Sequence, residues 1–199
     1  MDPAASKISF IARAVFILIW AGVIIACITA FFLHPEHFTA ENIAAVLSRF
    51  KGEIWVVYSV LCILRGFTLL PSTPLVIAGT ILFPEQPVAV VAVSLIGIIL
   101  SSTMIYYFSD LLGFTDFFEN RYPDFIHRTK RRLDHPAGFA FVSIWAFFPL
   151  VPTDAVCYAA GTSKMKFWKF ILAITIGELA LVGAYVYSGN YLRRLLQTA

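Results

Sequence analysis

Residues 65–84 read RGFTLLPSTPLVIAGTILFP. The stretch is apolar enough for a bilayer, yet it carries Arg65, two prolines three apart (Pro71 and Pro74), Ser72 and Thr73 between them, and Gly79. A plain spanning helix does not suit it, because each proline removes a backbone donor and crowds the preceding turn. Before the break, Ile54 to Leu70 is about long enough to cross. After it, Leu75 to Phe83 is too short, at about 1.5 Å per residue against a hydrocarbon core of about 30 Å. A long arm, a broken tip and a return arm describe a re-entrant hairpin over 54–84. One kinked spanning helix is the alternative. Irregular backbone at membrane depth persists only where protein or water satisfies it.

The pattern has a weaker echo at Phe147–Gly161, FFPLVPTDAVCYAAG. Here Pro149 and Pro152 break an apolar arm, Thr153 and Asp154 lie at the turn, and the chain returns to Gly161. This predicts a second re-entrant hairpin over 138–163. Broken apolar segments in corresponding halves of a membrane protein point to a binding site between them.

Composition supports the membrane reading. Hydrophobic residues make up 59% of the 199 and charged residues 14%, against roughly a quarter charged in a soluble domain. Several apolar runs approach 20 residues, so 1–199 reads as a single integral membrane domain. The first run, broken only by Arg13, is too long for a signal-peptide core and is expected to be retained. Cys27, Cys62 and Cys157 lie far apart in apolar surroundings, which suits small packed hydrophobes rather than a disulfide or metal set. The net charge of +3 carries information about topology and does not suggest nucleic acid.

Outward from the two breaks, the remaining elements fall into order. Residues 8–33 form a first spanning helix with Lys7 and Arg13 at a cytoplasmic start, ended by His34-Pro35. Residues 39–52 form an amphipathic helix capped by Thr39 and stopped at Gly52, with Ile43, Val46, Leu47 and Phe50 on one face. It lies in the headgroup region or packs as a connector. Residues 88–112 span, with Gly97 and Ser101 as a small-residue contact face. Residues 113–137 form a basic cytoplasmic loop, with an aromatic stripe (Phe114, Phe118, Tyr122, Phe125) followed by Arg121, Arg128, Lys130, Arg131 and Arg132. Lys164, Lys166 and Lys169 favour the same side. Residues 170–191 form the last spanning helix, with Glu178 near its middle. The fold class is an all-α polytopic membrane protein, an inverted repeat with two opposed re-entrant helical hairpins plus spanning helices. In this topology Arg193 and Arg194 land outside, against the usual bias.

At the two proline motifs the chain resembles the DedA / VTT-domain membrane proteins, also called SNARE-associated Golgi proteins. The first match is Arg65, Pro71-Ser72-Thr73-Pro74, Gly79 and Phe83. The second is Pro149-Leu150-Val151-Pro152-Thr153-Asp154, Tyr158 and Gly161, followed by Phe170 and Gly177. The resemblance covers about Ile54 to Tyr191. It implies two re-entrant hairpins facing each other across the bilayer. It further implies movement of polyprenyl phosphates or phospholipids between leaflets, coupled in some members to the proton motive force. Many members place an arginine three residues before the first proline of the second motif. Here that position is Ala146, and Pro152 stands where another branch carries a further arginine. The resemblance therefore throws the weight of any phosphate site onto Arg65.

Each candidate also has an ordinary structural reading. Arg65 is costly in mid-membrane, by about 2.5–3.5 kcal/mol on insertion scales. It either binds a lipid phosphate, caps carbonyls freed by Pro71, or pairs with Asp154. Ser72 and Thr73 donate to the phosphate or to freed carbonyls. Asp154 carries a proton or caps the return arm, and local sequence leans towards the cap. Glu178, with no cap to make, relays protons or pairs with Arg65. Pro71, Pro74, Pro149 and Pro152 break the hairpins, while Gly79 and Gly161 allow close packing or a turn. His34 and His37 (HPEH) do not make a metal motif, since HExxH needs helical histidines at i and i+4 and Pro35 interrupts.

The expectation is a lipid flippase or scramblase using a polar path between the hairpins, with membrane lipids and protons as partners and a homo-oligomer allowed. No cofactor, metal, nucleic acid or enzyme activity is expected. The location is a bacterial inner membrane ahead of a eukaryotic endomembrane. A proton- or cation-coupled small-solute carrier is the alternative.

Overall fold

The computed structural model describes residues 3–68, 70–111, 120–149 and 151–198, and these are helical with no strand among them. Expectations resting on Phe114, Phe118 and Leu150 fall outside the described residues. In chain order the helices are α1 (Pro3–Leu33), α2 (Ala40–Leu47), α3 (Ile54–Leu64), α4 (Thr73–Leu82), α5 (Pro87–Leu111), α6 (Pro123–Asp134), α7 (Pro136–Phe147), α8 (Thr153–Thr162) and α9 (Phe167–Thr198). Short 3-10 turns occupy Pro35–Phe38 and Arg65–Phe67. Pro87–Ser109 and Phe167–Tyr191 are long and apolar enough to cross a membrane.

The first arm breaks six residues earlier than the reading of Ile54 to Leu70: α3 ends at Leu64 and gives way to the turn at Arg65–Phe67, while α4 restarts at Thr73 with a proline in its first turn. The freed backbone is satisfied locally. The Arg65 carbonyl accepts from the Thr68 amide (3.0 Å) and the Thr68 hydroxyl (2.7 Å). The Ser72 carbonyl accepts from the Leu75 and Val76 amides. In the second break, the Pro152 carbonyl accepts from the Ala155 amide (3.1 Å) and Trp145 Nε1 (3.4 Å).

Each broken segment folds back on itself. Trp55, at the start of α3, stacks on Phe83 just past the end of α4, with ring centroids 3.6 Å apart. Midway, Gly79 lies against the Tyr58 ring, where a side chain has no room. α3 and α4 are therefore antiparallel arms of a hairpin. The second hairpin, α7 and α8, closes the same way: the Lys166 amide donates to Asp134 Oδ1 (3.2 Å), joining the segment after α8 to the end of α6, two residues before α7. Arms of 10–12 residues are about 15–18 Å long, roughly half a hydrocarbon core.

α5 serves as a ruler for both hairpins. Gly97 packs on Cys62, and Gly66 packs on Ser101, so the first hairpin runs along α5 towards its middle. From the far end, Tyr106 donates to the Met165 carbonyl and Gly161 lies against Ser109 and the Tyr106 carbonyl. The hairpin bases thus sit at opposite ends of α5 and their tips meet. The contact is direct, with the Thr73 hydroxyl donating to the Pro149 carbonyl across 3.5 Å. α9 runs alongside, from Phe170 stacked on Tyr106 to Gly189 beside Thr80.

Two further regions differ from the sequence reading. Thr39 caps α2 as expected, accepting from the Asn42 amide. Of the expected face, Leu47 is buried with Tyr58, Cys62 and Leu75, and Ile43 packs beside it, while Val46 and Phe50 are exposed; the packed face continues through Ala40 and Ala44, which lie on Ala78 of α4. Within the basic stretch, residues 123–134 form a helix, with Ile126 and Leu133 buried and Arg128, Lys130, Arg131 and Arg132 exposed. Asp134 also accepts through its carbonyl from Lys169, so this helix and the lysines after α8 share one end of the molecule.

Polarity is inverted relative to a soluble protein. Ser94, Ser101, Ser102, Thr153, Asp154 and Glu178 are buried, while Leu18, Ile19, Ile96, Ile144, Trp168 and Ile176 are exposed. Exposed apolar surface of this extent requires a nonaqueous partner.

Gly161→Ala forces a methyl into the Tyr106 backbone and is expected to lower stability by about 1–3 kcal/mol. Gly22→Ala, with no atom within 4 Å of the new methyl, should be neutral or stabilising by up to about 1 kcal/mol. Denaturation of the detergent-solubilised variants measures both.

Candidate functional site

Where the tips meet, three ionisable side chains gather inside the protein. Arg65 Nη1 lies 3.6 Å from Asp154 Oδ2, and the two side chains are 9% and 1% exposed. Glu178, fully buried on α9, accepts a 2.6 Å hydrogen bond from the Thr153 hydroxyl through Oε1. Glu178 and Arg65 both lie close enough to act on Asp154 electrostatically, and Arg65 acts on Glu178 as well. Each element contributes for a stated reason. The 3-10 turn after α3 turns Arg65 inward. α8 begins immediately after Pro152 and carries Asp154 in its first turn, where the helix dipole favours a carboxylate. α9 brings Glu178 to the same level because Gly177 packs directly on the Ser143 carbonyl and Ala146 of α7.

The arrangement resolves several of the open readings. Asp154 makes no capping hydrogen bond and faces Arg65 instead. Arg65 makes that contact rather than covering carbonyls freed by Pro71. Thr73 donates to a carbonyl of the other hairpin, and Ser72 lies beside it at the start of α4. Gly79 and Gly161 are both packing glycines, against Tyr58 and against α5. Thr153, adjacent to Asp154, was not singled out by sequence as Glu178's partner. Nor did sequence identify the buried Tyr58–Ser94 hydroxyl pair (2.7 Å) that ties α3 to α5. Their only signal is a polar side chain recurring on an otherwise apolar helix.

The charge cluster is incompletely satisfied. Arg65 Nη2, both Asp154 oxygens and Glu178 Oε2 are buried without a hydrogen-bond partner among the described residues. A guanidinium offers five donors in a planar fork suited to two parallel bonds. A single contact at 3.6 Å leaves most of that capacity unused. Next to this cluster lies a cavity of about 350 Å³, walled by Phe31, Leu61, Leu64, Leu70 and Pro71, with Arg65 as its charged wall.

The fold and site together define an all-helical membrane protein that holds opposite charges where two helical hairpins meet. The model of the VTT domain matches residues 70–191, more than half of the chain. The chain belongs to the VTT-domain family, the DedA / SNARE-associated Golgi proteins, which is membrane-associated. No curated protein and no solved structure matches it.

Removing one member of a buried pair strands the other, at a cost of about 3–5 kcal/mol. Arg65→Met is therefore expected to destabilise the protein strongly, and Arg65→Met combined with Asp154→Leu to recover much of the loss. Chemical denaturation of the two singles and the double gives the coupling.

Proposed function

We propose that this protein moves lipids bearing a phosphate headgroup, phospholipids or polyprenyl phosphates, between the leaflets of its membrane. The observation that carries this reading is Arg65 itself, which has a buried, unpartnered Nη2 at the hairpin tips and also lines an apolar cavity. Such a site suits an amphiphile, with a phosphate to take the guanidinium and an acyl or prenyl tail to lie against Leu61, Leu64 and Leu70. A small polar solute would find few partners on those walls.

In this reading the two hairpins are re-entrant, entering from opposite faces as the halves of an inverted repeat, and their arms leave only a short barrier between leaflets. Ser72 and Thr73 lie at the entrance to α4, where they can donate to the same phosphate. The phosphate displaces Asp154 from Arg65, and the released carboxylate takes a proton. The fixed charges favour such an exchange. One arginine faces two carboxylates, so the ionised cluster carries one net negative charge, which one proton cancels. Asp154 and Glu178 are the relay, and the gradient across the membrane gives the exchange direction.

Reconstituted protein is expected to exchange a fluorescent phospholipid between liposome leaflets, scored by quencher accessibility. Arg65→Gln should slow it about tenfold or more, the loss expected from one charge-assisted contact of about 1.5–3 kcal/mol. Glu178→Gln should remove the response to an imposed pH gradient. Folded protein that moves no lipid but takes up a solute down a pH gradient would establish the carrier reading instead.

A further inference from the structure

The HPEH segment lies outside the charge cluster, and its geometry alters the reading that sequence gives it. α1 ends at Leu33 and residues Pro35–Phe38 form a 3-10 turn. Pro35 does not interrupt this turn. It starts it, at a position where no backbone donor is needed. A 3-10 turn has three residues per turn, so side chains at i and i+3 stack on one edge. His34 and His37 have that spacing. Their ring centroids are 5.7 Å apart, and His34 Nδ1 is 3.3 Å from Glu36 Oε1. One donor atom from each of His34, Glu36 and His37 lies within 4.8 Å of the others. Ligand atoms bound at about 2.0–2.1 Å around a tetrahedral ion are about 3.3 Å apart, so small rotamer changes close the difference.

The backbone of this turn is braced. The Glu36 carbonyl accepts from the Thr39 hydroxyl (3.2 Å) and from Asn42 Nδ2 (2.5 Å). Thr39 in turn accepts from the Asn42 amide. The Phe38 ring packs edge-on against Phe31 of α1. The ligands are therefore carried on a corner fixed to both α1 and α2, and all three side chains are exposed to an incoming ion.

We propose that His34, Glu36 and His37 form a binding site for a divalent transition-metal ion, Zn²⁺ in the first instance. Two imidazoles and one carboxylate favour zinc, copper or nickel over magnesium or calcium, which prefer all-oxygen sets. Three protein ligands leave one position for water. The bound ion clips the end of α1 to the turn that leads into α2. It also sits at the edge of the cavity that reaches Arg65, since His37 lines that cavity. The site stands independently of the transport reading, because its ligands and its test involve neither Arg65 nor lipid.

The test uses tag-free, chelator-stripped protein in detergent, titrated with Zn²⁺ by calorimetry and with Co²⁺ by visible absorption. One equivalent per chain is expected, with Co²⁺ bands of a low-coordinate site and no competition from excess Mg²⁺. His34→Gln and His37→Gln should each weaken binding at least about tenfold, since loss of even a supporting group at a metal site costs that much. His127→Gln and His135→Gln, exposed histidines elsewhere, should leave binding unchanged. Zn²⁺ should raise the melting temperature of the unaltered protein and not of the His34→Gln/His37→Gln double variant. Absence of stoichiometric Zn²⁺ binding, or equal binding by a double variant with an unchanged metal-free melting temperature, overturns the proposal.

Discussion

A charge inside an apolar shell must find its opposite, and Arg65 and Asp154 have each other, 3.6 Å apart, at the tips of two hairpins. Much of the architecture follows from keeping that contact. Asp154 reaches the contact from the first turn of α8 and Arg65 from the 3-10 turn after α3, so both charges lie at the tips where the hairpins face each other. α3 ends at Leu64, ahead of Pro71 and Pro74, and α7 ends at Phe147, two residues before Pro149. Proline also frees backbone groups, which is tolerable at this depth only because Thr68, the Ser72 carbonyl and Trp145 take them up. The tips then come together because α5 allows it. Gly97, Ser101 and Ser109 offer little side chain towards the hairpins, and Gly66 and Gly161 offer none towards α5. Small-residue contacts of this kind replace the hydrophobic driving force, which is lost where the outside is itself apolar.

That contact also makes the two hairpins interdependent. Each arm is about half the length needed to cross a hydrocarbon core. Their joint is built from few strong interactions: one loose ion pair, one Thr73 hydroxyl to a Pro149 carbonyl, and the Thr153–Glu178 bond that fixes α9 to it. A joint of this kind can exchange partners at modest cost, because several of its polar atoms begin unsatisfied. A tightly packed apolar joint would lack that freedom.

The legible part of this molecule was its punctuation. Pro71, Pro74, Pro149 and Pro152 mark the breaks, and the long apolar runs mark α5 and α9, because backbone donors and helix length are local properties. Which side chains meet across a break is not local. Arg65 had four eligible partners by sequence (a phosphate, freed carbonyls, Asp154 and Glu178), and only the docking of two hairpins some ninety residues apart brings Asp154 to it. Size complementarity was equally hidden. The periodicity of Ile43, Val46, Leu47 and Phe50 places Ile43 and Leu47 on the packed side, but it does not show that this side continues through Ala40 and Ala44 onto Ala78 and leaves Val46 and Phe50 exposed. In HPEH, the turn that starts at Pro35 stacks His34 and His37 at i and i+3, a placement that a loop reading of the segment does not give.

Ala146 shows how the same packing bears on charge. The resemblance leads one to expect an arginine there, and its absence suggests a site short of one cation. In the structure Ala146 is fully buried against Gly177. A glycine there lets α9 lie close on α7, and that closeness brings the next residue, Glu178, within 2.6 Å of Thr153. An arginine at 146 would push α9 outward and remove Glu178 from the joint. The alanine, the glycine and the glutamate therefore belong together as one local solution, which substitutes a second acid for a second base. Its consequence among the described residues is an imbalance of fixed charge, with one guanidinium set against two carboxylates where the hairpins meet.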